Sequence, residues 1–142
     1  MAAPDPTRPE NAGVLRYLAR TGAAGEDPSP DDADRYRLGT HPDIVNHLWD
    51  VLAAACEGDA RSIVHGTPAL VDPRTGVLMA LGLGTTYALR LAAPDAAGAK
   101  TVHEYRTVGR TLDLGVEFGP GWVFGAWDED EVARLRRSAA LL

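Results

Sequence analysis

Apolar and polar positions change period several times along this chain, and the changes mark out its elements. Between residues 10 and 20, Val14, Leu15 and Leu18 share one side of a helical wheel while Arg16 and Arg20 lie one turn apart on another, predicting a short surface helix closed by Thr21-Gly22. Residues 1–8, with Pro4 and Pro6 and few apolar groups, read as a flexible leader, and Thr7 and Glu10 have the spacing of a capping box. The clearest helix spans about 41–57. Thr40 suits its N-cap, Pro42 falls where a missing N–H is harmless, and Asp43 completes a Thr-x-x-Asp cap. Ile44, Val45, Leu48, Val51, Leu52, Ala55 and Cys56 form its apolar stripe, Asp43, His47, Asp50 and Glu57 its wet side, and Gly58 its stop.

Beyond Gly58 the period becomes that of strands. Runs at 62–65, 68–72, 77–83 and 85–92 are predicted strands, and 77–83 is apolar on both faces, as expected of a central strand covered on both sides. Its sides would be Val77, Met79, Leu81 and Leu83 against Leu78, Ala80 and Gly82. Between the second and third strands, Asp72-Pro73-Arg74-Thr75-Gly76 has the chemistry of a hairpin turn. Asp72 can accept from backbone N–H groups ahead of it, Pro73 presets the first turn dihedral, and Gly76 can take a positive φ. Residues 93–100 read as a small-residue loop and 101–108 as a strand. Leu112, Leu114, Val116 and Phe118 alternate with Thr111, Asp113, Gly115 and Glu117 in a half-buried strand pattern. A last strand at 122–127 then leads to a closing helix capped by Asp128, with Val132, Leu135, Ala139 and Leu142 at helical spacing. Acids at its start and arginines further along match the helix dipole. The expected fold class is α+β: an antiparallel sheet of four to six strands with helices packed on it, one near residues 41–57 and one at the C-terminus. Residues 9–142 are expected to form one domain.

Composition narrows the function classes. With 142 residues, 45% apolar and 24% charged, the chain reads as an ordinary globular protein. A net charge of −6 argues against a bare phosphate backbone as partner, so nucleic acid is not expected. Thirteen of the fourteen basic residues are arginine, Lys100 being the lone lysine, a bias that fits a GC-rich genome. A single cysteine, no basic-then-apolar leader and no long apolar run point to a cytoplasmic chain away from membranes.

Catalytic templates fail one by one. Cys56 lies near a helix C-terminus on its apolar stripe, where dipole and burial both disfavour a thiolate. His41, His47, His65 and His103 show no paired ligand spacing; His47 shares a helical face with Asp43 and Asp50, an arrangement more typical of surface charge pairing. Gly82-Leu83-Gly84-Thr85-Thr86 is followed by a strand rather than a helix, so it reads as a turn and not a phosphate loop. Ser62 and Ser138 lack a nucleophile-elbow setting. No cofactor or metal is implied. Asp113 and Glu117 would share a solvent face of one strand. Arg90 is flanked by the small Ala88 and Ala92, leaving room for a carboxylate partner or an anionic ligand.

Two features remain. Residues 25–34 form a loop with five acids, Glu26, Asp27, Asp31, Asp32 and Asp34, and no base. Trp127 precedes a further acidic run, in a region where Phe118, Trp122 and Phe124 suit a core. The leading expectation is a small non-enzymatic protein-binding domain, a profile that a bacterial immunity or antitoxin-like inhibitor of a basic partner would fit, with the acidic loop and Trp127 as contact residues. The rival is a small-molecule binder or enzyme with an anion gripped by Arg90 and proton transfer by His65, His103 or Asp113. Self-association as a homo-oligomer is a third reading.

Overall fold

The computed structural model describes residues 2–98, 106–107 and 110–142. The strands are β1 (Arg61–Val64), β2 (Thr67–Val71), β3 (Leu78–Leu83), β4 (Thr86–Arg90), β5 (Arg106–Thr107), β6 (Arg110–Thr111) and β7 (Trp122–Phe124). Five of them form one antiparallel sheet in the order β1-β2-β3-β4-β7, while β5 and β6 pair with each other. The helices are α1 (Ala12–Thr21), α2 (Pro42–Asn46), α3 (Ala93–Gly98), α4 (Leu114–Glu117) and α5 (Glu131–Ala140). The α+β architecture with a helix near 41–57 and a closing helix on the sheet is the one the hydrophobic pattern predicts.

The β2–β3 turn forms through the expected chemistry. Asp72 accepts from the Arg74 amide through its side chain (2.9 Å) and from the Gly76 amide through its carbonyl (2.8 Å), with Gly76 at φ +75°. Arg74 at the tip donates to the Ala139 carbonyl at 2.6 Å, placing a cation at the C-terminal end of α5. Gly84 (φ +67°) turns the chain between β3 and β4, so the 82–86 segment is a hairpin connection.

Two cores flank the sheet. Ile44, Leu48, Leu52, Leu70, Met79, Leu89 and Leu135 pack on the side of α2 and α5, whereas Val14, Leu18, Val71, Leu81, Leu114 and Phe118 pack on the side of α1 and α4. Strand β3 is buried along its whole length, as a two-sided apolar strand requires. Its side chains do not alternate strictly: Leu70 pairs with Ala80 and Val71 with Leu78, so Met79 is an extra, bulged residue. Met79 and Ala80 consequently join Val77 in the first core, while Leu78, Leu81 and Leu83 join the second.

Several local expectations are corrected. The 41–57 helix is composite: α2 passes into a π turn (His47–Val51) and then a 3-10 turn (Leu52–Ala55). The wider turn, closed by the Leu52 amide on the His47 carbonyl, rotates the register so that Leu52 is buried and Val51 exposed. Its cap is His41, whose Nδ1 accepts from the Asp43 amide at 3.1 Å; Thr40 is buried instead, against Gly82. Thr7 does not cap α1, which begins after a 3-10 turn at Pro9–Asn11. Residues 114–117 are helical, not extended: Asp113 accepts from the Val116 amide as an N-cap, and Leu114 and Phe118 are buried one turn apart. Residues 93–98 are also helical, consistent with three alanines and a proline in the first turn. Asp130 rather than Asp128 occupies the N-cap of α5. Of the strand expected at 101–108, residues 101–105 and 108 lie outside the described residues.

Residues 2–11 run along the second core. Ala2 is buried, the Asp5 amide donates to the Gly76 carbonyl, and Asn11 is enclosed completely. Asn11 Nδ2 donates to the carbonyls of Asp5 (2.9 Å) and Gly76 (2.8 Å), and its Oδ1 accepts from the Leu78 amide (2.9 Å). One side chain thus ties the leading segment to the hairpin and to the start of β3.

Candidate functional site

The most elaborate polar cluster lies where the π turn, β4 and the start of α5 meet. Glu131 is only 1% exposed, although it opens α5. An ionised carboxylate in such a place must be met by donors. Three groups meet it: Tyr87 Oη lies 2.6 and 2.8 Å from its two oxygens, the Ala126 amide donates at 3.1 Å, and His47 Nε2 lies 3.2 Å from Oε1. Tyr87 comes from the buried β4, and its hydroxyl also accepts from the Trp127 amide at 2.9 Å. Burial, followed by the neighbouring Glu131 carboxylate, raises the Tyr87 pKa far above the ordinary phenol range, so the phenol stays protonated and donating.

Gly125 makes this arrangement possible. A Cβ there would overlap the Tyr87 ring, so only glycine lets the chain pass across its face. Beyond it Trp127 takes a left-handed backbone (φ +58°), which a bulky residue adopts only when its surroundings enforce it. Its indole stacks on His47 (centroids 4.1 Å, 33° between planes) and meets Tyr87 edge to face (5.2 Å, 89°). Even so, 49% of Trp127 remains exposed. The result is a rigid aromatic platform over a buried carboxylate, followed by the exposed acids Asp128, Glu129 and Asp130. Asp128 is engaged, accepting from the Asp130 amide and pairing with Arg134.

The structure distributes the other sequence candidates differently. Asp27 accepts from the His65 and Gly66 amides at 2.9 and 2.7 Å, fastening the acidic loop to the β1–β2 turn. Asp31 pairs with Arg61 at 2.9 Å, and Asp34 caps the 35–37 turn. Glu26 and Asp32 are left exposed on that loop. His47 turns inward to Glu131 rather than joining Asp43 and Asp50 on a wet face, and Asp50 pairs with Arg35 at 2.9 Å. The described residues hold no group of three His, Cys, Asp or Glu side chains placed for a metal ion. Cys56 is partly buried, and burial followed by Asp72 pushes its thiol up to about 11. Arg90 and Asp113 line two different hollows and His65 lines neither of these; His103 lies outside the described residues. The acid-base constellation expected of an Arg90-centred enzyme is therefore not assembled by the described residues.

Sequence reasoning picked out Trp127 but not Glu131, Tyr87 or His47 as its support. A tyrosine in a strand that also carries Ala88 and Leu89, and a glycine two residues before the tryptophan, were the available signals. Among the described residues no helix is long and apolar enough to cross a membrane. No family model, curated protein or solved structure matches the chain.

Proposed function

We propose that the protein is a non-enzymatic recognition domain that binds a basic protein partner, in the manner of an immunity or antitoxin-like inhibitor, with Trp127 as its anchor. The observation that carries this reading is the half-exposed Trp127, held in a strained backbone conformation by two ring contacts and the Tyr87 hydroxyl. Rigid aromatic side chains that project from a fixed base dominate binding energy, because little conformational freedom is lost when they are covered. The exposed Glu129 and Asp130 beside it, with the net charge of −6, favour capture of a positively charged surface. Glu26 and Asp32 would add to that field, whereas Asp27, Asp31 and Asp34 are engaged within the protein.

The test is capture by the immobilised chain from a lysate of its source organism, with retained proteins identified by mass spectrometry. The expected result is a basic protein retained by the wild type, lost on Trp127→Ala, and captured more slowly by Glu129→Gln/Asp130→Asn at low salt, a difference that shrinks as salt is raised. Equal retention by the wild type and Trp127→Ala, or no retained protein from native lysate, would overturn the reading.

A further inference from the structure

Arg90 ends β4, lies opposite Trp122 of β7 in register, and shares the sheet face of Ala88, the side covered by α1 and α4. It lines a groove of about 380 Å³ with Glu10 from the 3-10 turn before α1, Gly13 and Arg16 from α1, and Phe118 and Pro120 from the turn after α4. A half-buried guanidinium normally takes a carboxylate partner, because burial penalises its charge. Of the two acids that line the groove, Glu10 pairs directly with Arg8 at 2.6 Å and attracts Arg90 only through space, while Glu117 pairs with Arg20 at 3.2 Å. Neither the Arg90 nor the Arg16 side chain makes a hydrogen bond or ion pair among the described residues. Among the described residues the groove thus carries two guanidinium groups without a directly bonded partner, one on the sheet and one on the helix, in a protein that is acidic as a whole.

We propose that this groove binds a phosphate monoester, with the phosphate held between Arg90 and Arg16 and the organic group along Val116, Phe118 and Pro120. Two guanidinium groups match the charge of a monoester dianion, and their planar forks offer paired N–H donors to its oxygens. The apolar wall distinguishes a monoester from bare phosphate: among the described residues Val116, 79% exposed, stands at the groove's edge beside Phe118 and Pro120, where an organic group can lie against it. A groove of this size suits a small molecule. The site is independent of the Trp127 surface.

Titration of the isotopically labelled full chain with phenyl phosphate, above the second phosphate ionisation near about pH 6, tests the proposal through the arginine Nε–H signals. Saturable shifts at Arg90 and Arg16 are expected. Arg90→Gln should weaken binding by about tenfold or more, and Arg16→Gln by several-fold. Arg16 is exposed on a helix, so its variant reports on binding even if Arg90→Gln fails to fold. Arg37→Gln, far out in solvent, should leave the affinity unchanged. Absence of saturable shifts at millimolar phenyl phosphate, or equal weakening by Arg37→Gln, would overturn the site. Equally tight benzoate would overturn the phosphate assignment, and equally tight inorganic phosphate would overturn the role of the apolar wall.

Discussion

Replacing Tyr87 by phenylalanine removes one oxygen from the interior and leaves the ring packing in place. That oxygen serves two groups at once: it donates toward both oxygens of the Glu131 carboxylate and accepts from the Trp127 amide. A hydrogen bond to a buried charged group contributes about 1.5–3 kcal/mol, and the part-buried Trp127 amide adds up to about 1 kcal/mol when it loses its acceptor. His47 and the Ala126 amide still reach Glu131, which keeps the loss from being larger. Tyr87→Phe should therefore destabilise the protein by about 2–4 kcal/mol, lowering the urea midpoint by roughly 1–2 M at an ordinary m-value. A second signature appears at high pH. The folded-state pKa of Tyr87 is raised, so its contribution is complete below about pH 10, where the unfolded phenol titrates, and is lost as pH climbs above that value by about 1.4 kcal/mol per unit. The variant should lack this component of the alkaline loss. Urea titrations of both proteins between neutral and alkaline pH provide the measurement. A difference below about 0.5 kcal/mol, or the same alkaline slope in both proteins, would refute the reasoning.

Three further outcomes follow from the packing. Gly125→Ala should cost about 1–3 kcal/mol and change the fluorescence of Trp127, since the added methyl must displace the buried Tyr87 ring; a neutral melting curve would contradict the close approach. Asn11→Ala should cost about 2–3 kcal/mol and speed hydrogen exchange at the Leu78 amide, because that amide loses its acceptor; unchanged exchange would show that the amide is held by something else. Cys56, with its thiol pushed up to about 11, should react with a disulfide reagent at mildly alkaline pH roughly two hundredfold more slowly than an ordinary thiol, and a rate near that of free cysteine would contradict its burial.

Much of the sheet was legible because its signals are local. Asp72, Pro73 and Gly76 encode their turn within five residues, and the apolar run after them can only be a covered strand. Residues 112–118 were ambiguous for a physical reason: Leu114 and Phe118 satisfy a period of two and of about four alike, and the Asp113 cap decides between them. The π turn is set by tertiary packing, Trp49 donating to the Ala69 carbonyl of β2, and no spacing within 42–55 announces it. The support of Trp127 was the least legible part. Glu131 looks like any acid favoured in a first helical turn, and Tyr87, its principal partner, lies forty-four positions earlier in the chain.

Burial of β3 on both faces also has a consequence during synthesis. Its second core can begin to close early, since α1 precedes the sheet, but α5 is made only after β4 and β7. Until then the opposite face of β3 and β4 lacks Leu135 and Ala139, and Tyr87 lacks its carboxylate. A nascent chain halted before α5 would present a greasy, half-covered sheet face, the kind of surface that chaperones hold and on which other unfinished chains can collect.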